Sequence, residues 1–191
     1  MDVQARRLLV LFASQHNRST PVATSAPVNS IAASPLPTTP SAHPRTGQSM
    51  SGAEIIVQVL ADEGVDTLFL IVPANEQGAG FMAAGYARAS GKVGVCVVTS
   101  GPGATNTVTP VRDCAADSIP IVVICGQVGT SAIGTDAFQE APVSNIMGSV
   151  AKHCFLVTDP AKLEATVRTA FEIARSGRPG PVVIDIPKDV Q

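Results

Sequence analysis

The chain has 191 residues, of which 45% are hydrophobic and 15% are charged, and its formal net charge is -2. This length and composition predict one folded domain, and a charge so close to zero gives no reason to expect nucleic acid as a partner. No stretch reaches the roughly 18 apolar residues that a membrane span requires, so we expect no membrane partner either. The four cysteines are widely spaced, form no C-x-x-C pair and mostly lie in hydrophobic runs. They predict buried, reduced thiols.

Residues 1–49 differ in composition from the rest of the chain. They contain four arginines, no lysine, one acid (Asp2) and a tract rich in Ser, Thr, Pro and Ala. Such a segment buries too little apolar surface to fold, so we predict that it is disordered. Its start, "ARRLLVLFAS", is also typical of an organelle transit peptide, whereas Met50 would be a natural start after an extension without function. We expect a cytoplasmic protein, or a plastid or mitochondrial one if residues 1–49 are a transit peptide.

Helices and short apolar runs alternate from Ser51 onward. Ser51 followed by Glu54 is a capping-box pattern and predicts the start of the first helix. A helix rich in Gly and Ala begins at Glu76, and Asp159 caps the last helix. The predicted strands are, in chain order, "VDTLFLIV", "KVGVCVVTS", "IPIVVICG", "KHCFLV" and "GPVVIDIP". Near-continuous β-branched runs between helices indicate a three-layer α/β domain over residues 50–191, with a mostly parallel sheet.

Three loops follow predicted strands, at the sheet edge where α/β proteins bind ligands. The first contains Glu76, in "VPANEQGAGF", where a buried carboxylate without a partner would cost on the order of several kcal/mol. This acid therefore either faces water or has a chemical role. The second loop, "TSGPGATN" (residues 99–106), offers backbone N–H groups at a helix start but matches neither the P-loop nor G-x-G-x-x-G. The third loop is "GQVGTSAIGTDAFQE" (residues 126–140). The sequence predicts no metal-binding set of residues.

Long sequence motifs in and around these loops resemble those of one family. The stretches "EQGAGFMAAGYARASGKVGVCVVTSGPGATN", "DSIPIVVICGQVGTSAIGTDAFQE", "KHCFLV" and "SGRPGPVVIDIPKDVQ" are similar, in order and wording, to the flavodoxin-like N-terminal pyrimidine-binding domain of the acetolactate synthase large subunit. The resemblance covers residues 50–191. It implies a thiamine-diphosphate enzyme that condenses two 2-oxo acids with loss of CO₂ in branched-chain amino acid synthesis. Sulfoacetaldehyde acetyltransferase and oxalyl-CoA decarboxylase are alternative thiamine enzymes, which these sequence motifs match less well.

The resemblance implies a role for each of eight residues. In the family, the Glu of the "EQGAG" word, here Glu76, hydrogen-bonds a ring nitrogen of the thiamine aminopyrimidine and favours the tautomer that takes the proton from the thiazolium carbon. The small residues after Glu76 leave room for a flat ring. The residues that carry over are Glu76, Phe138, Gln139 and Lys188 for catalysis, and Glu76, Thr99, Pro102, Asn106, Gln139 and Arg178 for cofactor binding.

Three of these residues have a plain structural alternative. The resemblance assigns Phe138 and Lys188 to the substrate approach, where a cation would attract a 2-oxo-acid carboxylate, and Arg178 to a contact with FAD. From the residues alone, Phe138 is more typical of a core residue and Lys188 of a solvated strand end. Arg178 alone would be a cation at a helix C-terminus.

The sequence also departs from the family. About two dozen family residues, carrying a loop, a helix and a second strand, are missing between Phe69 and Asn75. Because a parallel crossover needs about a dozen residues, we expect the "LFLIV" strand to take the place of the missing strand and to leave one position of the sheet empty. Asn75 and Phe81 each replace a His, and Pro110 stands where a helix should continue, which predicts a kink or break.

Family enzymes continue into a FAD-associated central domain and a C-terminal domain that holds the diphosphate through Mg²⁺ with a Gly-Asp-Gly motif. Neither stretch occurs in this sequence. We therefore expect half a site at best, which needs a second copy, a full-length subunit or a regulatory subunit as partner. A non-catalytic remnant that only pairs with a related subunit is the alternative function.

Overall fold

One parallel sheet of six strands organises the part of the chain that the structure, a computed structural model, describes: residues 9–11, 48–70 and 75–191. Its spatial order is β1-β2-β3-β4-β6-β5, and every neighbouring pair is parallel. The strands are β1 (Leu9–Leu11), β2 (Thr67–Leu70), β3 (Gly94–Val98), β4 (Ile121–Gln127), β5 (His153–Leu156) and β6 (Val182–Pro187).

Six α-helices cover the two faces of the described sheet, which makes the domain a three-layer α/β structure as predicted. They are α1 (Gly52–Asp62), α2 (Glu76–Ser90), α3 (Pro102–Asn106), α4 (Val108–Asp117), α5 (Val143–Gly148) and α6 (Leu163–Arg175). Successive strand residues alternate between faces. Cys96 and Val123 face the core formed with α2, α4 and α5, whereas Val95 and Val122 face the core formed with α1 and α6.

The predicted helix starts are confirmed by their hydrogen bonds. The backbone N–H of Glu54 donates to Ser51 Oγ at 3.3 Å, and the N–H of Ser51 donates to Glu54 Oε2 at 2.9 Å, which is the predicted capping box. Asp159 accepts from the N–H of Ala161 at 3.0 Å and caps a 3₁₀ turn that leads into α6. The short helix α5, which follows the loop after β4, was not predicted because its six residues show no helical periodicity.

The sheet has no empty position beside β2, contrary to our expectation. Phe69 and Leu70 of β2 pair directly with Cys96 and Val97 of β3, and Leu9–Leu11 pairs with the other side of β2. These three residues belong to the segment that we predicted to be disordered. Residues 1–8 and 12–47 of that segment, and the shortened connection at residues 71–74, lie outside the described residues. The outer neighbour of β2 thus comes from the N-terminal segment.

The predicted helix break at Pro110 is present but lies three residues earlier. Helix α3 ends at Asn106 and α4 begins at Val108, with Thr107 between them. Pro110 then falls in the first turn of α4, where backbone N–H groups have no intrahelical acceptor, so its missing donor costs little. The ring packs against Gly80 of α2.

The cysteines fit the prediction of buried, reduced thiols. Cys96, Cys114 and Cys125 are buried, Cys154 is half-buried, and all four are free. Burial raises the pKa of Cys96 and of Cys114 to about 12, and that of Cys154 to about 11. Among the helices that the structure describes, none is long and apolar enough to cross a membrane.

Candidate active site

Glu76 is the first residue of α2 and has a defined partner. Asn75 caps the helix with an extended backbone, and its Oδ1 accepts from the N–H of Gln77 at 3.0 Å. The half-buried carboxylate of Glu76 accepts from Asn106 Nδ2 through Oε2 at 2.8 Å. A negative charge at a helix N-terminus is also stabilised by the helix dipole. The structure therefore directs this acid toward α3, at the carboxyl edge of the sheet.

The loop between β3 and α3 lies beside this carboxylate. Gly101 has φ +53, a left-handed conformation that favours glycine, and ends the loop just before Pro102. A Cβ on Gly103 would lie 2.6 Å from Thr99 Cγ2 and 3.6 Å from Glu76 Oε1. The absent side chain leaves space next to the second carboxylate oxygen. Glu76, Thr99, Gly103 and Asn106 together form what we call the Glu76 cleft.

The loop after β4 brings Gln139 against the same region. Its backbone has φ +60, unusual for a residue with a Cβ, and its carbonyl carbon lies 2.8 Å from where a Cβ on Gly101 would be. The carboxylate of Glu140 accepts from the N–H groups of Gly134 and of Ala137, which hold the pKa of Glu140 below its usual range. The loop therefore has a fixed backbone although it is largely exposed.

A cavity of about 480 Å³ opens beside the Glu76 cleft and adjoins it at Thr99. Its walls include Ser100, Gln127, Phe138, Gln139 and Lys188. Phe138 is 89% exposed, so the core interpretation of this residue is wrong. Lys188 follows β6 directly and is also exposed. A cavity of this size suits a small organic molecule, and Lys188 offers it a positive charge.

Arg178 lies away from the other seven candidates. It precedes β6, at the amino edge of the sheet, whereas the Glu76 cleft lies at the carboxyl edge. Its Nη2 donates to the carbonyls of Ala115 and Ala116 at 3.2 and 2.8 Å, and its Nε donates to Ser118 Oγ at 2.8 Å. This geometry is that of a cation at the C-terminus of α4. The contact with FAD stays a prediction.

Sequence reasoning missed two buried polar residues beneath the cavity. Gln127 Nε2 donates to Asp185 Oδ2 at 3.0 Å and to the carbonyl of Ala141 at 3.1 Å, while Gln127 Oε1 accepts from the N–H of Val128 at 2.9 Å. Asp185 is 2% exposed, and its burial raises the pKa to about 6 although the Gln127 donor lowers it. The available signal was an acid inside the apolar strand "VVIDIP".

The described residues contain no group of three or more His, Cys, Asp and Glu side chains that could hold a metal ion. Lys188 is the charged side chain among the residues that line the cavity, and the next residue, Asp189, is already engaged. Its carboxylate accepts from the N–H and the hydroxyl of Thr130 at 3.0 and 2.5 Å. What this edge can do is bind an organic ring or an anion, with one carboxylate able to exchange a proton.

Comparison with protein families identifies the class of domain that contains these residues. Residues 70–147 match the family described as thiamine pyrophosphate enzyme, N-terminal TPP binding domain. The match includes Glu76, the loop after β3 and the loop that carries Gln139. Residues 70–147 therefore carry the N-terminal TPP-binding domain of the thiamine pyrophosphate enzymes.

Within that class, the chain is homologous to the catalytic subunits of acetolactate synthases. It is 50% identical over 162 residues to the mitochondrial acetolactate synthase catalytic subunit of Saccharomyces cerevisiae, with 74% of this chain and 24% of the relative covered. It is 44% identical over 180 residues to the large subunit of Corynebacterium glutamicum (82% and 29% covered). It is 41% identical over 204 residues to the chloroplastic enzyme of Arabidopsis thaliana (91% and 30% covered). The chain thus spans less than a third of the length of these relatives.

The same alignments contain gaps on the side of this chain. The 162 positions aligned with the Saccharomyces cerevisiae enzyme contain 74% of 191 residues, about 141, so about 20 positions lie opposite a gap. This difference has the size expected for the short connection between Phe69 and Asn75.

Proposed function

We propose that this chain is the pyrimidine-binding segment of a thiamine-diphosphate-dependent acetolactate synthase catalytic subunit. The observation that carries the proposal is the Glu76 cleft, in which the carboxylate at the start of α2 is held by Asn106 next to the space left by Gly103. When bound, thiamine diphosphate supplies the carbon nucleophile that attacks a 2-oxo acid. In this proposal Glu76 would hydrogen-bond a ring nitrogen of the aminopyrimidine and share a proton with it, and Asn106 would fix the direction of the carboxylate.

The cavity beside the cleft is proposed as the place where the 2-oxo acid approaches. Lys188 provides a cation for its carboxylate, and Phe138 provides an exposed aromatic wall. Gln139 lies between the cavity and the cleft, against Gly101, and would contact the intermediate formed there. Thr99 and Pro102 border the ring.

Mg²⁺ and FAD belong to the whole enzyme in this proposal. The described residues hold no metal-binding group, so the diphosphate and its Mg²⁺ would be held by another polypeptide segment. A second copy, a full-length related subunit or a regulatory subunit is the proposed partner. Alone, we expect the chain to form no measurable acetolactate from pyruvate with all three cofactors added, because positioning accounts for about 7–11 kcal/mol of a barrier.

Ligand binding tests the proposal without requiring turnover. Thiamine diphosphate is titrated into the ¹⁵N-labelled chain, and the side-chain amide of Asn106 and the backbone amide of Glu76 are followed by NMR. We expect both to shift, and Glu76→Gln to weaken binding about tenfold or more, since a charge-assisted hydrogen bond is lost. Glu172→Gln, an exposed Glu of α6, is the matched control. Absence of shifts at these two residues at millimolar ligand would refute the assignment.

A second function is favoured by the short connection between Phe69 and Asn75. If part of the cofactor wall is missing, the chain serves as a non-catalytic domain that pairs with a related subunit. Co-purification of the tagged chain with a full-length acetolactate synthase subunit, together with no response to thiamine diphosphate, would support this alternative over the first.

The location of the chain is also a proposal. Two of the relatives are named as mitochondrial and chloroplastic, and one is bacterial. We propose that the chain is cytoplasmic, with a plastid or mitochondrion as the alternative if residues 1–49 act as a transit peptide, as their arginine-rich and acid-poor composition suggests. A fluorescent protein fused after residue 49 should then stay in the cytoplasm. Its entry into an organelle, lost when the arginines are changed to glutamine, would support the alternative.

A further inference from the structure

The backbone at Gln139 needs external support. Its φ of +60 lies in the left-handed region, which a residue with a Cβ adopts only when its surroundings hold it there. Asp136, three residues earlier, has φ +56. A loop with two such residues would relax if its neighbours did not fix it, so the contacts around it determine where Gln139 lies.

Contacts from several directions fix this loop, and one of them comes from the sheet below. Glu140 binds the loop's own N–H groups, and Gly101 touches it from the side. From below, Gln127 Nε2 donates to the carbonyl of Ala141, two residues after Gln139. The carbonyl of Ala141 also accepts from the N–H of Val143 at 2.8 Å, so the loop is tied to the start of α5 at the same atom.

The orientation of the Gln127 amide is determined by its neighbours. Its Oε1 accepts from the N–H of Val128, which turns the NH₂ group toward Asp185 and Ala141. Gln127 and Asp185 belong to β4 and β6, which are hydrogen-bonded neighbours. The Gln127–Asp185 pair is buried, with relative exposures of 6% and 2%. Through the Gln127 amide, the pair is hydrogen-bonded to the carbonyl of Ala141 in the loop.

We propose that Gln127 and Asp185 are positioning residues that hold the loop carrying Gln139 against the Glu76 cleft, and that the ionisation of Asp185 controls how firmly they do so. Neither residue is proposed to touch the cofactor. The part of this inference that concerns cofactor contact rests on the proposed function. The part that concerns loop order does not.

The surroundings of Asp185 make this control possible. Cys125 of β4 and Cys154 of β5 face it, and Ser144 of α5 hydrogen-bonds to Cys154. Among the described residues, no cation compensates Asp185, and its Oδ1 has no hydrogen-bond partner. An ionised carboxylate accepts more strongly from Gln127 than a neutral one does. We therefore expect the loop to be held more firmly above pH 6 than below it.

Global stability should follow the opposite trend. Burial raises the pKa of Asp185 to about 6, so the folded chain keeps a proton that the unfolded chain releases, and stability falls as pH rises toward that value. A loop that becomes more ordered while the whole domain becomes less stable is not expected from a merely structural role. The opposite signs separate positioning from general stabilisation.

Hydrogen exchange without any ligand tests the inference. Protection factors of the Ala137 and Val143 amides are measured by NMR in a His153→Gln background, which removes the only imidazole among the described residues. We expect Gln127→Leu to lower both about tenfold, as the loss of one buried hydrogen bond implies. We expect Asp185→Asn to abolish their change between about pH 5 and pH 7. Gln58→Leu, at a half-buried position of α1, and Asp117→Asn, at an exposed position of α4, are the matched controls.

The outcomes distinguish this inference from the proposed function. Unchanged protection in Gln127→Leu, or a pH dependence that persists in Asp185→Asn, would overturn it. Because Asp185→Asn preserves the shape of the side chain, it keeps the test decisive if Gln127→Leu does not fold. A chain that fails to bind thiamine diphosphate but shows the expected exchange would refute the proposed function and leave the loop control intact.

Discussion

Two glycines of α2 should respond in opposite ways to the same substitution. A Cβ on Gly80 would lie 2.8 Å from Pro110 Cβ and closer still to its Cγ, whereas a Cβ on Gly85 would meet no atom within 4 Å. Gly→Ala in a helix gains about 1 kcal/mol of stability from propensity, and overpacking costs about 1–3 kcal/mol. We therefore predict that Gly85→Ala stabilises the chain by about 1 kcal/mol and that Gly80→Ala is less stable than Gly85→Ala by about 1–3 kcal/mol.

Urea unfolding followed by circular dichroism measures both changes, and a third variant identifies their cause. Pro110→Ala removes Cγ, the atom nearest to the new Cβ, but keeps the Cβ of residue 110, so the double variant with Gly80→Ala should recover part of the lost stability. Since α2 carries Glu76, the clash should also shift the NMR signal of the Asn106 side-chain amide. Equal stability of the two alanine variants, or a coupling energy near zero with Pro110, would refute this account of the helix contact.

Three further predictions concern the site. Between about pH 4 and pH 6 the free energy of unfolding should fall by up to about 3 kcal/mol, because the pKa of Asp185 is raised to about 6. Asp185→Asn should lack this decrease in urea titrations at each pH. Gln139→Gly should raise stability by about 0.5–1 kcal/mol, because glycine relieves the left-handed backbone, while weakening thiamine diphosphate binding. An equally stable or less stable Gln139→Gly would contradict the strain at this residue. Gly103→Ala should weaken thiamine diphosphate binding measured by calorimetry, since its Cβ would press on Thr99 and fill the space beside Glu76 Oε1, and adding Thr99→Ser, which removes only the clashing methyl, should restore part of it.

Most of the fold could be predicted from the sequence because its elements depend on local patterns. The capping box at Ser51, the Gly- and Ala-rich helix from Glu76 and the β-branched runs each depend on residues close in sequence, and each forms the expected element. The identity of the sheet edge follows from the rule that ligand loops gather at the carboxyl ends of parallel strands. Glu76 and Asn106 meet there although 30 residues separate them.

Contacts that depend on strand register were beyond prediction. Gln127 and Asp185 are 58 residues apart, and their contact requires β4 and β6 to be neighbours with Cys125 opposite Asp185. Composition alone showed only a carboxylate in an apolar run. The left-handed backbone of Gln139 was equally hidden, because nothing in "GTDAFQE" requires a positive φ at a Gln. Arg178 shows the converse, since the helix end that it caps lies 60 residues earlier in the chain.

The position of Glu76 does not depend on the connection that precedes it. Helix α2 is placed by its small residues: Ala79 and Ala83 are fully buried, and Gly80 admits Pro110 from α4. On the sheet side, a Cβ on Gly94 would lie 2.8 Å from the carbonyl carbon of Ala83, so β3 and α2 approach at backbone distance.

These contacts lie on residues that follow the short connection and hold α2 from two directions. On the proposed function, the short connection before Asn75 therefore shortens the cofactor wall without moving the carboxylate. The physical expectation is a domain that still binds the pyrimidine ring through Glu76 and Asn106 but orients the rest of the cofactor poorly. Such a domain would lose turnover well before it loses binding.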